Sequence, residues 1–244
     1  NISDLMESLE ASYDEGLNPD DYHLETIKDL LEKKNDKKLS SKEGADLELL
    51  LTDALILYGS HLLEGKLEQS ELRKKWDVEK NDVPENIDSL LTSTLHNKKV
   101  KVALEEMKPG HYMYKLMKFQ LKKLRGEAES GGWPKVSEGE TLKPGMSDPR
   151  VKEVRSYLKA VGDLDDSAVA DEELFDEELE EAVKRFQNRH KLSDDGAVGK
   201  GTLEEMNVPV ETRIDMIRLN LERLRWIFHN PDKDFLIVNI AGFH

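Results

Sequence analysis

Apolar residues recur three and four apart over several stretches of this chain, the spacing of one face of an amphipathic helix. The clearest early case starts near Ala45, where Leu47, Leu50, Leu51, Ala54, Leu55, Tyr58 and Leu62 form one stripe and Gly65 supplies a stop. Before it, Asn18-Pro19-Asp20 is a turn that opens a helix through Leu24, Ile27 and Leu31, and the mixed-charge stretch 32–38 reads as a solvated helix end or loop. Pro84-Glu85-Asn86-Ile87 starts a short helix toward Leu95. After Pro109-Gly110, Met113, Leu116, Met117, Gln120, Leu121 and Leu124 predict a further helix ending at Gly126.

Periodicity then lapses. Gly131-Gly132-Trp133-Pro134 and Lys143-Pro144-Gly145 bracket a stretch that reads as an inter-domain connection. Ser147-Asp148-Pro149 restarts helical structure, with Val151, Val154 and Leu158 inward and Gly162 at the end. An acidic loop follows over 163–173, then a stronger helix whose Leu179, Ala182, Val183, Phe186 and His190 share one side. Asp194-Asp195-Gly196 is a turn, because glycine accepts positive φ there, and a short helix over 199–207 turns Leu203 and Met206 inward. Past Pro209 a long helix carries Ile214, Ile217, Leu221 and Leu224.

Only 235–240, Phe-Leu-Ile-Val-Asn-Ile, reads as a β-strand. A lone strand cannot satisfy its backbone N–H and C=O groups, so its sheet is expected beyond His244. The expected class is therefore mainly α. A helical scaffold domain spans 1–146, a small three-helix domain 147–208, and a connecting helix with the first strand of a further domain 209–244.

Composition narrows the function classes. Of the 244 residues, 37% are hydrophobic and 36% charged, which with the periodic patterning argues for a folded chain. The net charge of -15 opposes phosphate backbones, so nucleic acid is set aside as a partner. No apolar run approaches the about 20 residues needed to span a bilayer. The first residues carry no signal-peptide pattern, so any export signal is expected to have been removed. Cysteine is absent, which excludes disulfides, thiolate ligands and a cysteine nucleophile in these residues. The histidines (His23, His61, His96, His111, His190, His229 and His244) contain no pair at the four-residue spacing of a helical zinc site, so neither a metal nor a cofactor is expected.

Within 176–207, Ala182-Val183-Lys184-Arg185-Phe186-Gln187, His190, Leu192, Asp195-Gly196, Val198-Gly199 and Thr202-Leu203 resemble the small three-helix peptidoglycan-binding domain of cell-wall enzymes. In that reading Thr202 caps the last helix. The flanks are similar to a narrower family, the large murein L,D-transpeptidases. Arg213-Ile214, Asn220-Leu221-Glu222-Arg223, Arg225-Trp226 and Val238-Asn239-Ile240 resemble the approach to their catalytic domain. Gly16-Leu17-Asn18-Pro19, Tyr22-His23, Leu51-Thr52-Asp53-Ala54, His61, Gly65-Lys66 and Gly131-Gly132-Trp133 resemble their helical scaffold region.

The resemblance implies a parent enzyme that cross-links peptidoglycan stems by cysteine acyl transfer in the periplasm or cell envelope of a bacterium. Its nucleophile lies in a β-rich domain expected beyond His244. No catalytic residue can be assigned here, and the segment alone is expected to be inactive. Peptidoglycan and the chain's own catalytic domain are the expected partners. The candidate wall contacts are Arg185, Gln187, His190, Asp195 and Trp133. Phe186 lies on the apolar stripe and reads as core, whereas Arg185 and Gln187 point elsewhere and either meet wall polymer or stay solvated. Trp133 and Trp76 either stack on sugar rings or cover the scaffold's own core. Asp53 reads as an interhelical hydrogen-bond partner. Two other functions fit the pattern: a wall-binding module of a cell-wall hydrolase, and a structural scaffold that docks protein partners.

Overall fold

The computed structural model describes residues 2–36, 39–67 and 99–227. They form α1 (Ile2–Glu10), α2 (Leu24–Asp36), α3 (Ser41–Glu64), α4 (Val100–Glu106), α5 (Tyr112–Glu129), α6 (Arg150–Val161), α7 (Glu177–Arg189), α8 (Lys200–Met206) and α9 (Val210–Ile227), with short 3-10 helices at Ala11–Glu15 and Pro19–Tyr22. Leu142 with Val198 and Ser147 with Leu174 make isolated antiparallel bridges, and no sheet forms among the described residues. The protein is mainly helical. The strand expected at 235–240, the helix expected toward Leu95, and Trp76, His96, His229 and His244 lie outside the described residues. The contacts divide the chain into two units, the first holding residues up to Lys122 together with those from Met216 onward, the second Lys123–Asp215.

In the first unit, α3 is the central element. Ser40 and Glu43 form a capping box at its start: the Glu43 N–H donates to Ser40 Oγ at 3.2 Å and the Ser40 N–H to Glu43 Oε2 at 3.0 Å. Its Leu47, Ala54, Leu55, Tyr58 and Leu62 are buried against Leu5 and Leu9 of α1 and Leu104 of α4, much as the periodicity requires. At its end Gly65 has φ +80°, and a Cβ there would collide with the Glu222 carboxylate and the Trp226 indole. Only glycine meets both demands.

A polar network completes this core. Glu15 and Arg225 are each 1% exposed. Tyr114 Oη donates to Glu15 Oε2 at 2.8 Å, and the ammonium groups of Lys108 and Lys118 reach the other carboxylate oxygen. Arg225 donates to Glu222 Oε2 at 2.9 Å, to Tyr114 Oη at 3.1 Å and to the Glu15 carbonyl. Burial opposes ionisation of Glu15, but the two lysines win and hold its carboxyl below the usual range. The network also sets the rotation of α5. Of the stripe expected inward, Leu121 is buried and Met113, Met117, Gln120 and Leu124 are half-buried, but Leu116 is 53% exposed, and Tyr114, which the stripe left out, is buried. The Tyr114 and Lys118 bonds to Glu15 require that orientation.

The second unit is built on α6 and α7. Val151, Val154 and Leu158 of α6 meet Leu179, Val183 and Phe186 of α7, with Met206 of α8 closing the core. Asp176 caps α7, its Oδ1 accepting from the Leu179 N–H at 2.9 Å, while Oδ2 accepts from buried Arg155 at 2.6 Å. The stretch 131–145 has no helix, in keeping with its lack of periodicity, but it is packed: Val136 and Leu142 are core residues. Asn207 secures it, accepting from the Val136 N–H at 3.0 Å and donating to the Val136 carbonyl at 2.8 Å. Thr202 does not cap α8. Gly199 occupies the cap position without a side-chain bond, and Thr202 is buried.

Candidate functional site

The five wall-contact candidates all lie in the second unit, in three settings. Gln187 and Asp195 are joined. Gln187 follows Val183 by one turn and is therefore carried into the core beside Phe186, where it is 1% exposed. Its amide nitrogen donates to Asp195 Oδ1 at 2.9 Å, the Ala197 carbonyl at 2.9 Å and Thr202 Oγ1 at 3.1 Å. Its carbonyl accepts from the buried Gly196 N–H at 2.9 Å. Every polar atom of the side chain is thus engaged within the unit, which differs from the sequence expectation that Gln187 faces away from the core. Asp195 is exposed. A bond from the Ala197 N–H at 3.0 Å, helped by Gln187, holds its carboxyl below the ordinary value.

His190 and Trp133 end one chain of rings. Trp133 meets Tyr157 edge-on at 6.2 Å, Tyr157 meets Phe186 edge-on at 5.7 Å, and Phe186 lies 4.3 Å from the His190 ring. Phe186 itself is fully buried, a core residue as its position on the stripe requires. The Trp133 indole N–H donates to Glu127 Oε2 at 2.8 Å, so the ring is half-buried against its own unit.

His190 Nδ1 lies 2.5 Å from Glu205 Oε1, which also accepts from Arg213 at 2.6 Å. Burial lowers the His190 pKa, and Arg189 and Arg213 reinforce that against the pull of Glu205. Burial raises the Glu205 pKa, but the bonds from Arg213 and His190 prevail and keep it ionised. An ionised carboxylate only accepts, so Nδ1 carries the imidazole proton. Nε2, buried without a partner, is then a bare lone pair rather than an orphaned N–H.

Arg185 stands apart. It is exposed on α7 and donates to the Asp163 carbonyl at 2.9 and 3.2 Å. Among the described residues no hydrogen bond or ring contact joins it to the other four. Of the set, Arg185 and Asp195 offer the most solvent-facing polar chemistry, while Gln187 holds the turn that presents Asp195. The sequence reading gave Glu205 no role and did not link it to Arg213, a bond that spans the turn between α8 and α9. Their spacing of eight residues carries no helical signal across that break.

The arrangement supplies oriented hydrogen-bond donors and acceptors, with no cysteine to act as nucleophile. Among the described residues no group of three or more His, Asp or Glu side chains is placed to hold a metal ion.

Two family models match the chain. Residues 1–121 match the "Scaffold domain". Residues 147–206 match the "Putative peptidoglycan binding domain". Together they support a peptidoglycan-associated protein with a wall-binding role. Compared with curated proteins, the chain finds no match. Among the described residues no helix is long and apolar enough to cross a membrane.

Proposed function

We propose that this chain is the non-catalytic helical portion of a murein L,D-transpeptidase exported to the bacterial cell envelope. Its second unit engages wall polymer, and its first unit supports a catalytic domain carried beyond His244. The observation that carries the reading is the order of the two matches, scaffold over 1–121 and peptidoglycan binding over 147–206. The motifs around Arg213, Asn220 and Arg225-Trp226 add the resemblance to the transpeptidase approach. Wall contact falls to the exposed Arg185 and Asp195 and to the half-buried His190 and Trp133, with Gln187 fixing the Asp195 turn.

The test is co-sedimentation of the purified chain with isolated sacculi. Partial pelleting is expected, weakened several-fold by Arg185→Ala without loss of helicity. Pelleting no better than that of an unrelated acidic protein would refute wall binding. Deleting the gene tests the transpeptidase assignment through the muropeptide profile: L,D-type cross-links should fall, and unchanged cross-links with fewer cleavage products would point to a hydrolase.

A further inference from the structure

The wall-binding match covers the second unit, but the first unit has a surface that none of the preceding chemistry uses. On α5, Tyr112 is 69% exposed, Phe119 64% and Leu116 53%, a concentration of bare apolar surface on one helix face. Lys115 and Lys122 are exposed beside them, with no ion pair among the described residues. Their order is an internal repeat. An aromatic at 112 recurs at 119, and a lysine at 115 recurs at 122. Seven residues make nearly two helical turns, so each pair shares a face and is displaced along the axis by about 10 Å. The result is two parallel rows, one aromatic and one cationic, with the same spacing.

Charge sets this face apart. The chain carries a net -15, yet no carboxylate occurs between Glu106 and Glu127, a run that contains five lysines and Arg125. Lys118 is committed to Glu15, which leaves the cations at 115 and 122 facing solvent. The Tyr112 ring rests against its neighbour His111, ring centroids 4.6 Å apart.

A polymer that fits must offer an apolar plate and an anionic group once per about 10 Å. A peptidoglycan strand does so. One disaccharide of a β-1,4-linked glycan is close to this length, its ring faces stack on aromatic side chains, and every second sugar bears a stem peptide with free carboxylates. We infer that the exposed face of α5 is a second wall-binding surface, with Tyr112 and Phe119 stacking on successive disaccharides and Lys115 and Lys122 pairing with stem carboxylates.

The two rows argue against other occupants. A second copy paired antiparallel through this face would set lysine rows against each other. A lipid surface requires a wide apolar face, whereas among the other large apolar side chains of α5 Tyr114 and Leu121 are buried and Met113, Met117 and Leu124 half-buried.

The inference rests on the wall reading above, so the experiment separates the two. The whole chain is sedimented with sacculi as wild type, Tyr112→Ser/Phe119→Ser, Lys115→Glu/Lys122→Glu and Arg185→Ala, each checked for an unchanged melting temperature. Both α5 variants should be retained about tenfold less, equivalent to about 1.4 kcal/mol, and retention by wild type should fall with added salt. Wild-type pelleting that the α5 variants leave intact and Arg185→Ala weakens would overturn this surface and keep the wall reading. Absence of wild-type pelleting would overturn both. Vesicles of phosphatidylglycerol and phosphatidylethanolamine are the last arm: α5-dependent binding to them in place of sacculi would assign the face to membrane and overturn the proposal.

Discussion

Replacing Gln187 by leucine tests whether this residue acts as an internal strut. The substitution keeps the volume roughly constant but removes three donated bonds and one accepted bond. Their losses differ. Asp195 is exposed and turns to water, and the Ala197 carbonyl retains a long contact with Thr202 Oγ1 at 3.5 Å. The Gly196 N–H is buried, and its acceptor disappears. An orphaned buried N–H costs about 1–3 kcal/mol and the remaining bonds about 1 kcal/mol net, for a total of about 3 kcal/mol. For a unit of fewer than a hundred residues each kcal/mol moves the melting temperature by about 4–8 °C. Calorimetry of the whole chain should therefore show one transition lowered by about 12–24 °C. Gln187→Glu is the informative control. It keeps an acceptor for Gly196 but faces Asp195 with a like charge, so it should be more damaging at neutral pH than in mild acid. A leucine variant whose melting changes by less than about 3 °C, roughly 0.5 kcal/mol, would refute the reasoning and return Gln187 to the solvent-facing role its sequence position suggested.

Arg225→Met should destabilise the first unit by about 3–5 kcal/mol, because the buried Glu222 loses its counter-charge; urea unfolding measures it, and Arg225→Met/Glu222→Gln should recover part of the loss. Glu15 is ionised in the fold with its pKa held below the ordinary 4.5, so its contribution is full above 4.5 and is lost as pH falls through the lower folded value. Acid titration of stability should show that limb, and Glu15→Gln should flatten it. His190 is held neutral, its pKa below the ordinary 6.5, so its contribution is present above 6.5 and declines as the pH drops below it. His190→Gln should reduce that slope, and an unchanged slope would mean that another group titrates there.

The local parts of this fold could be read in the chain because their causes are local. The Leu47-to-Leu62 stripe and the glycine that stops it act within a few positions. The Glu15 network could not be read this way. Tyr114 and Arg225 stand 99 and 210 positions from Glu15 along the chain, and no periodicity links a glutamate in a 3-10 turn to an arginine near the end of α9. That network in turn buries Tyr114, which the apolar stripe of α5 had left out, and leaves Leu116 exposed. Gln187 is an intermediate case. Its place one turn after Val183 put it at the margin of the apolar stripe, and Asp195, Gly196 and Thr202 in the following turn supplied its partners. A polar side chain on an apolar margin followed by a tight turn is a usable sign of an internal strut. Asp53, expected to bond a neighbouring helix, meets His23 Nε2 at 2.9 Å instead, a residue of the turn before α2 and 30 positions away along the chain.

Burial along α9 is uneven. Leu221, Glu222, Leu224, Arg225 and Trp226 are buried, while the stretch 211–220 carries no buried position. Amide exchange should therefore be faster over 211–220 than over 221–227, where proton exchange would have to wait for the first unit as a whole to open.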